Sequence, residues 1–137
     1  MEQGIIRTTK ADGSEQVDYL YRVSLRALIR NEEGKVLAVK EHGDMWHLPG
    51  GGLDHSETID EGLARELREE TGYTGKFTSR SEGVYLSRVE RLGNLMQVIL
   101  VFEVVPESFD FPGGPDSAEL EFVDESEVFD LQQIDER

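Results

Sequence analysis

The segment LMQVILVFEVV, residues 95–105, is apolar on both faces and rich in β-branched residues. Such a run suits a strand in the middle of a sheet rather than one with a solvated face. The rest of the chain supplies its neighbours. Tyr21, Val23, Leu25, Ala27 and Ile29 share one face of a period-two pattern, and Arg22, Ser24, Arg26 and Arg30 share the other. The turn chemistry of NEEG (31–34) then leads into KVLAVK (35–40), so the two strands read as a hairpin. Further strands are predicted near 76–79, 83–88 and 119–123, with VERLGN as a turn and a short helix starting around 124–126. Residues 58–71 read as a helix, with a Thr58/Glu61 capping box at its start and Gly72 as the left-handed stop. Strands and helices interleaved in one short chain indicate α/β or α+β with a mixed sheet.

A length of 137 residues suits one domain with a core. Residues 1–18 read as a polar arm with a short strand at Ile5–Thr8, and residues 19–137 as a single domain. No apolar run approaches the ~20 residues of a membrane span, and the first residues lack the pattern of a secretory signal. The absence of cysteine excludes disulfides and thiolate metal sites and fits a cytoplasmic protein. The formal charge of −15 repels phosphate backbones, which argues against nucleic acid as a partner. Phosphate chemistry on such a chain calls for a divalent cation as a bridge.

The predicted helix carries an unusual set of acids. On a helical wheel Ile59, Leu63, Leu67 and Ala64 form the apolar arc, and Glu66 and Glu70 fall at its edge rather than opposite it. These two glutamates are one turn apart, the spacing at which like charges repel. Unpaired carboxylates against an apolar wall raise their pKa values or weaken the fold. Either Arg65 and Arg68 neutralise them in surface pairs, or a hard cation such as Mg²⁺ or Mn²⁺ does so through oxygen ligands.

Gly51, Glu57 and the run Arg65-Glu66-Leu67-x-Glu69-Glu70-x-Gly72-Tyr73 together resemble the Nudix box, G-x5-E-x7-R-E-U-x-E-E-x-G-U, where U is a bulky hydrophobic residue. The fixed positions from 51 to 72 all match, and Tyr73 is aromatic where an aliphatic is usual. The resemblance implies an α/β/α sandwich around a mixed sheet, with the box as loop–helix–loop. It implies a hydrolase that cleaves the pyrophosphate of a nucleoside diphosphate linked to another group, X, by water attack on phosphorus. By position, Glu66, Glu69 and Glu70 would bind Mg²⁺ or Mn²⁺ with the carbonyl of Gly51, while Glu57 and Arg65 would pair and hold loop and helix in register. A further catalytic carboxylate is expected after the central strand. Glu107, Asp110, Asp116 and Glu119 are the choices, and Glu119 is favoured because SAELEFV resembles the acidic late strand of many members. A small nucleotide is then the expected partner, and homodimers are frequent in such a family.

Arg22 and Arg26 suit phosphate contact or a plain solvated strand face, and Trp46 suits base stacking or a core position beside Leu48. Tyr85 and Arg88 are candidates for the substrate pocket. His42, His47 and His55 lack the spacing of a zinc site. No subfamily signal names X, and a catalytically silent nucleotide-sensing or protein-interaction module is the alternative reading.

Overall fold

The computed structural model describes residues 4–40, 43–116 and 119–134. In chain order its elements are β1 (Ile5–Thr9), β2 (Glu15–Tyr19), β3 (Arg22–Leu28), β4 (Val36–Lys40), β5 (Gly50–Gly52), α1 (Ile59–Thr71), β6 (Phe77–Val89), β7 (Leu95–Pro106), β8 (Glu119–Val123) and α2 (Phe129–Ile134). The two-sided apolar run is β7, and it lies inside a sheet of order β5-β3-β7-β6. It runs parallel to β3 and antiparallel to β6, so the central sheet is mixed.

The parallel register sets Ser24 beside Ile99 and Leu25 beside Leu100, which sorts side chains into two cores. Leu25, Ala27 and Ile29 join Phe102 and Val104 against Leu63 and Leu67 of α1. Leu28 joins Ile99 and Val101 against Leu131 and Ile134 of α2. Each fully buried leucine contributes roughly 1.5–3 kcal/mol relative to exposure. This is the expected α/β/α layering.

Helix α1 begins as the sequence predicts. The Thr58 hydroxyl accepts from the Glu61 amide at 3.1 Å, and Glu61 Oε1 accepts from the Thr58 amide at 2.9 Å. Gly72 ends it at φ 78°. The buried stripe is rotated from the expected arc, however. It consists of Gly62, Leu63, Glu66, Leu67, Glu70 and Thr71, whereas Ile59 and Ala64 are exposed. The glutamates lie within the stripe, because Gly62 packs closely on Leu25 and Leu53 and so turns that face inward.

Three other expectations change. Asn31 builds the predicted turn, its Oδ1 accepting the amides of Glu33 and Lys35 at 3.0 Å. The expected hairpin forms only at its turn end, where Arg30 bridges Val36 and the Leu37 amide donates to Ile29 O at 2.9 Å; along its length β4 pairs with β8, from Val36 opposite Val123 to Lys40 opposite Glu119, because β5 and β7 occupy both edges of β3. The two strands expected at 76–79 and 83–88 are one strand, β6, with a bulge between Ser81 and Gly83. Finally, the arm is a two-stranded hairpin, β1 against β2, closed by a turn in which the Lys10 amide donates to Ser14 O at 2.8 Å. No helix among the described residues is long and apolar enough to cross a membrane.

Candidate functional site

A cleft of about 760 Å³ opens where β5, α1, β3 and the turn after β6 meet. Its lining includes Gly50, Gly51, Gly52, Glu66, Glu69, Glu70, Arg22, Arg26, Arg88 and Asp116. The glycine strand is narrow for steric reasons. A methyl group on Gly50 would overlap the Leu25 carbonyl, and one on Gly51 would meet the Glu66 carboxylate at 2.7–2.9 Å. Strand and helix thus approach as closely as backbone and carboxylate permit.

Glu66 and Glu70 are 7% and 6% exposed, so these two acids are held out of water beside the loop. Burial pushes the Glu66 carboxyl up, the Arg65 hydrogen bond and charge pull it back, and the charge of Glu69 pushes it up again; the net direction is upward. Arg65 Nη1 donates to Glu66 Oε1 at 2.8 Å. The Gly50 amide donates to Glu70 Oε2 at 2.8 Å. Arg65 also reaches Glu57 through Nε at 2.7 Å and Nη2 at 2.9 Å, and Gly52 O through Nη2 at 2.8 Å. Those donors hold the Glu57 carboxyl down at about 2. Helix and loop are therefore locked together by one guanidinium, with the strong geometry of a forked arginine–carboxylate pair.

Among the described residues, no three acids or histidines stand close enough to enclose a metal ion as arranged. The donor chemistry nevertheless suits a hard cation: two buried carboxylates and Glu69 share one cleft with backbone carbonyls. Glu66 would exchange its Arg65 contact for the ion.

The loop acid in the cleft is Asp116. Glu119 is exposed on β8 opposite Lys40 and does not line the cleft, contrary to expectation. The reason is the docking of residues 112–116 on the end of α1. Gly113 and Asp116 amides donate to the carbonyls of Thr71 and Glu69 at 2.9 and 3.0 Å. A side chain at Gly114 would overlap the Glu69 carbonyl. Helix carbonyls that would lack partners are satisfied by this loop, and Asp116 is delivered beside the glutamates.

Of the substrate-binding candidates, Arg26 and Arg88 line the cleft, whereas Trp46 and Tyr85 do not. Trp46 packs half-buried on the α2-side core with Lys40 Nζ 4.4 Å from its ring centre. Arg26 bonds the carbonyls of Leu48 and Gly50 at 3.2 and 3.1 Å, so it shapes the loop. His42 lies outside the described residues.

Sequence reasoning missed Asp130, whose only visible signal is an acid among the apolar residues of α2. It is fully buried. Its oxygens accept from the Leu48 amide at 2.8 Å and the Tyr85 hydroxyl at 2.6 Å, with Arg26 Nε 3.7 Å and His47 Nδ1 3.6 Å away. Burial pushes this carboxyl up, but His47, the Arg26 charge and the two donors outweigh it and leave it below the ordinary range. The same burial and the Asp130 charge raise Tyr85.

Residues 20–137 match the Nudix domain family. The chain belongs to the Nudix family. It is 36% identical over 73 residues to a MutT-like protein of Streptomyces ambofaciens, covering 47% of each chain. It is 32% identical over 102 residues to an ADP-ribose pyrophosphatase of Methanocaldococcus jannaschii, covering 70% of this chain and 58% of that protein. The chain thus spans about half the length of these curated Nudix relatives. Among solved structures, the MutT protein of Methanosarcina mazei Go1 superposes with a TM-score of 0.62 at 30% identity, covering 76% of this chain and 77% of that one. These resemblances place the cleft, with its glycine strand and acidic helix, within the Nudix fold.

Proposed function

We propose that this Nudix chain is a Mg²⁺-dependent hydrolase of the pyrophosphate linkage in a nucleoside diphosphate joined to a group X, with Mn²⁺ as a substitute ion. The observation that carries the reading is the burial of Glu66 and Glu70 on the cleft face of α1, beside a glycine strand that leaves their carboxylates room. Glu66, Glu69, Glu70 and the Gly51 carbonyl would hold the cation. Such an ion supplies charge for the phosphates and acidifies water. Arg65 holds helix and strand in register through Glu57 and Gly52 O. Asp116, the loop acid that lines the cleft, would take a proton from the attacking water. Related Nudix proteins bear the names ADP-ribose pyrophosphatase and RNA pyrophosphohydrolase, which agree with this reaction class.

A catalytically silent nucleotide-sensing or protein-interaction module is the second reading. It is favoured by the fact that Glu66 and Glu70 already accept from Arg65 and Gly50. A panel of nucleotides incubated with Mg²⁺ and then Mn²⁺ separates the two. We expect phosphate-containing products from at least one substrate, and a loss of about a hundredfold in Glu70→Gln, equivalent to ~2.7 kcal/mol of barrier. No product across the panel would leave the silent module standing. A loss below threefold would remove Glu70 from the cation site.

A further inference from the structure

Strand β6 is 13 residues long and stands last in the sheet order β5-β3-β7-β6, so one of its edges has no strand against it among the described residues. A row of open amides and carbonyls is a template for a further strand, which monomeric proteins blunt with charge, proline or a bulge. The bulge of β6 lies between Ser81 and Gly83. Beyond it residues 83–87 read GVYLS, with neither charge nor proline.

The side chains of this stretch do not suit a solvated face. The register sets Val84 beside Leu100 and Leu86 beside Val98, and Leu100 packs with Leu63 and Leu67 on the α1 side of the sheet. Helix α1 does not cover them. Val84 and Leu86 are 56% and 59% exposed, and a groove of about 440 Å³ opens between Ile59, Glu82, Val84 and Leu100. Arg88 follows on the same face, opposite Met96. Arg80 pairs with Glu103 at 3.2 Å, whereas Glu82 and Arg88 have no ion pair or hydrogen bond among the described residues.

An uncharged edge flanked by one acid and one base is complementary to the same edge turned round. In a two-fold antiparallel pairing, residues equidistant from the axis face each other. With the axis at Tyr85, Val84 of each copy faces Leu86 of the other, and Glu82 faces Arg88 at both ends. An axis at Leu86 sets Glu82 against Glu90 and Val84 against Arg88, and an axis at Val84 sets Arg80 against Arg88. Like charges directly opposite destabilise a strand pair, whereas apolar and opposite-charge pairs stabilise it. The charges of β6 therefore select one register. They also suit a chain of formal charge −15, whose copies repel each other in general, because β6 holds two arginines and one glutamate and so has no acidic excess.

We propose that two copies of this chain pair through the open edge of β6, antiparallel about a two-fold axis at Tyr85, with Glu82 of each copy facing Arg88 of the other. The two four-stranded sheets then continue into each other, and Val84 and Leu86 of both copies cover one another on the α1 side. Tyr85 lies at the axis on the opposite face, where its hydroxyl stays bonded to Asp130.

Sedimentation velocity of the whole chain over a concentration series tests this, with circular dichroism melts to check that each variant folds. The wild type should sediment as a dimer that dissociates on dilution. Leu86→Arg puts a charge into both apolar pairs, and Glu82→Arg sets arginine against arginine; each should weaken the dimer by about tenfold or more. Combining Glu82→Arg with Arg88→Glu restores opposite charges and should recover most of that loss, which a merely misfolded variant does not do. Hydrogen exchange is the independent readout: amides of residues 83–87 should exchange more slowly in the concentrated wild type than in Leu86→Arg. A wild type that is monomeric throughout the series overturns the self-pairing and leaves the edge to a strand of another protein. A dimer indifferent to Leu86→Arg and Glu82→Arg overturns β6 as the interface, and failure of the charge swap overturns the Tyr85 register.

Discussion

Glycines 50 and 51 are adjacent on one strand and constrained by different neighbours. Gly50 abuts the Leu25 backbone, which cannot move without breaking the β3–β5 ladder, so Gly50→Ala should prevent stable folding. Gly51 abuts the end of a glutamate side chain, which can rotate away. Gly51→Ala is therefore expected to fold, with a melting point within a few degrees of wild type. It should lose most hydrolysis, at least tenfold, because Glu66 is pushed out of the cleft. Circular dichroism melts and a single-substrate assay on both variants check the contrast. A Gly51→Ala protein that folds and turns over normally would show that the Glu66 position is unimportant to the reaction.

At the scale of elements, the six-residue α2 does more than cover a core. Asp130 reaches the Leu48 amide 82 residues away, and Arg26 spans from that carboxylate to the carbonyls of Leu48 and Gly50. The last helix thereby positions the strand that carries Gly51. Removing one member of a buried charged network strands the other, at a cost of about 3–5 kcal/mol. Asp130→Ala should lose stability on that order in urea unfolding. Asp130→Asn should lose distinctly less, because an amide oxygen can still accept from Leu48. Similar losses in the two variants would indicate that the carboxylate charge facing Arg26, rather than the hydrogen bond an amide retains, holds the network together.

For the whole molecule, charge and pH act in opposite directions across the acid range. With −15 formal charges, self-repulsion weakens the fold near neutrality. Glu66, raised above 4.5 by burial, stabilises the folded state only when protonated, and that contribution is lost as pH rises through 4.5 and then its folded value. Glu57 and Asp130 are lowered, so their contributions are present above their ordinary values of 4.5 and 3.8. They are lost as pH falls, for Glu57 down to about 2. The melting temperature of the cation-free protein should therefore rise from pH 7 to ~5 and then drop steeply between pH 4.5 and 2. Scanning calorimetry across that range measures it. A steady fall from pH 7 downward would mean that Glu66 and self-repulsion do not govern the upper branch.

The features legible in the amino-acid sequence are those that depend on near neighbours along the chain. Thr58 and Glu61 cap α1 through contacts three residues apart, Gly72 stops it, and the two-sided run 95–105 reads as an inner strand. The spacing from Gly51 through Glu57 to Arg65 and the three glutamates marks the loop and helix that line the cleft. Other features depend on which distant surfaces meet. Tertiary structure decided that β4 pairs with β8, because both edges of β3 were already occupied. It turned Glu66 and Glu70 into the buried stripe, through the close packing of Gly62 on Leu25 and Leu53. It set Asp116 rather than Glu119 in the cleft lining, because the end of α1 captures the backbone of residues 113–116 and no local pattern records that capture.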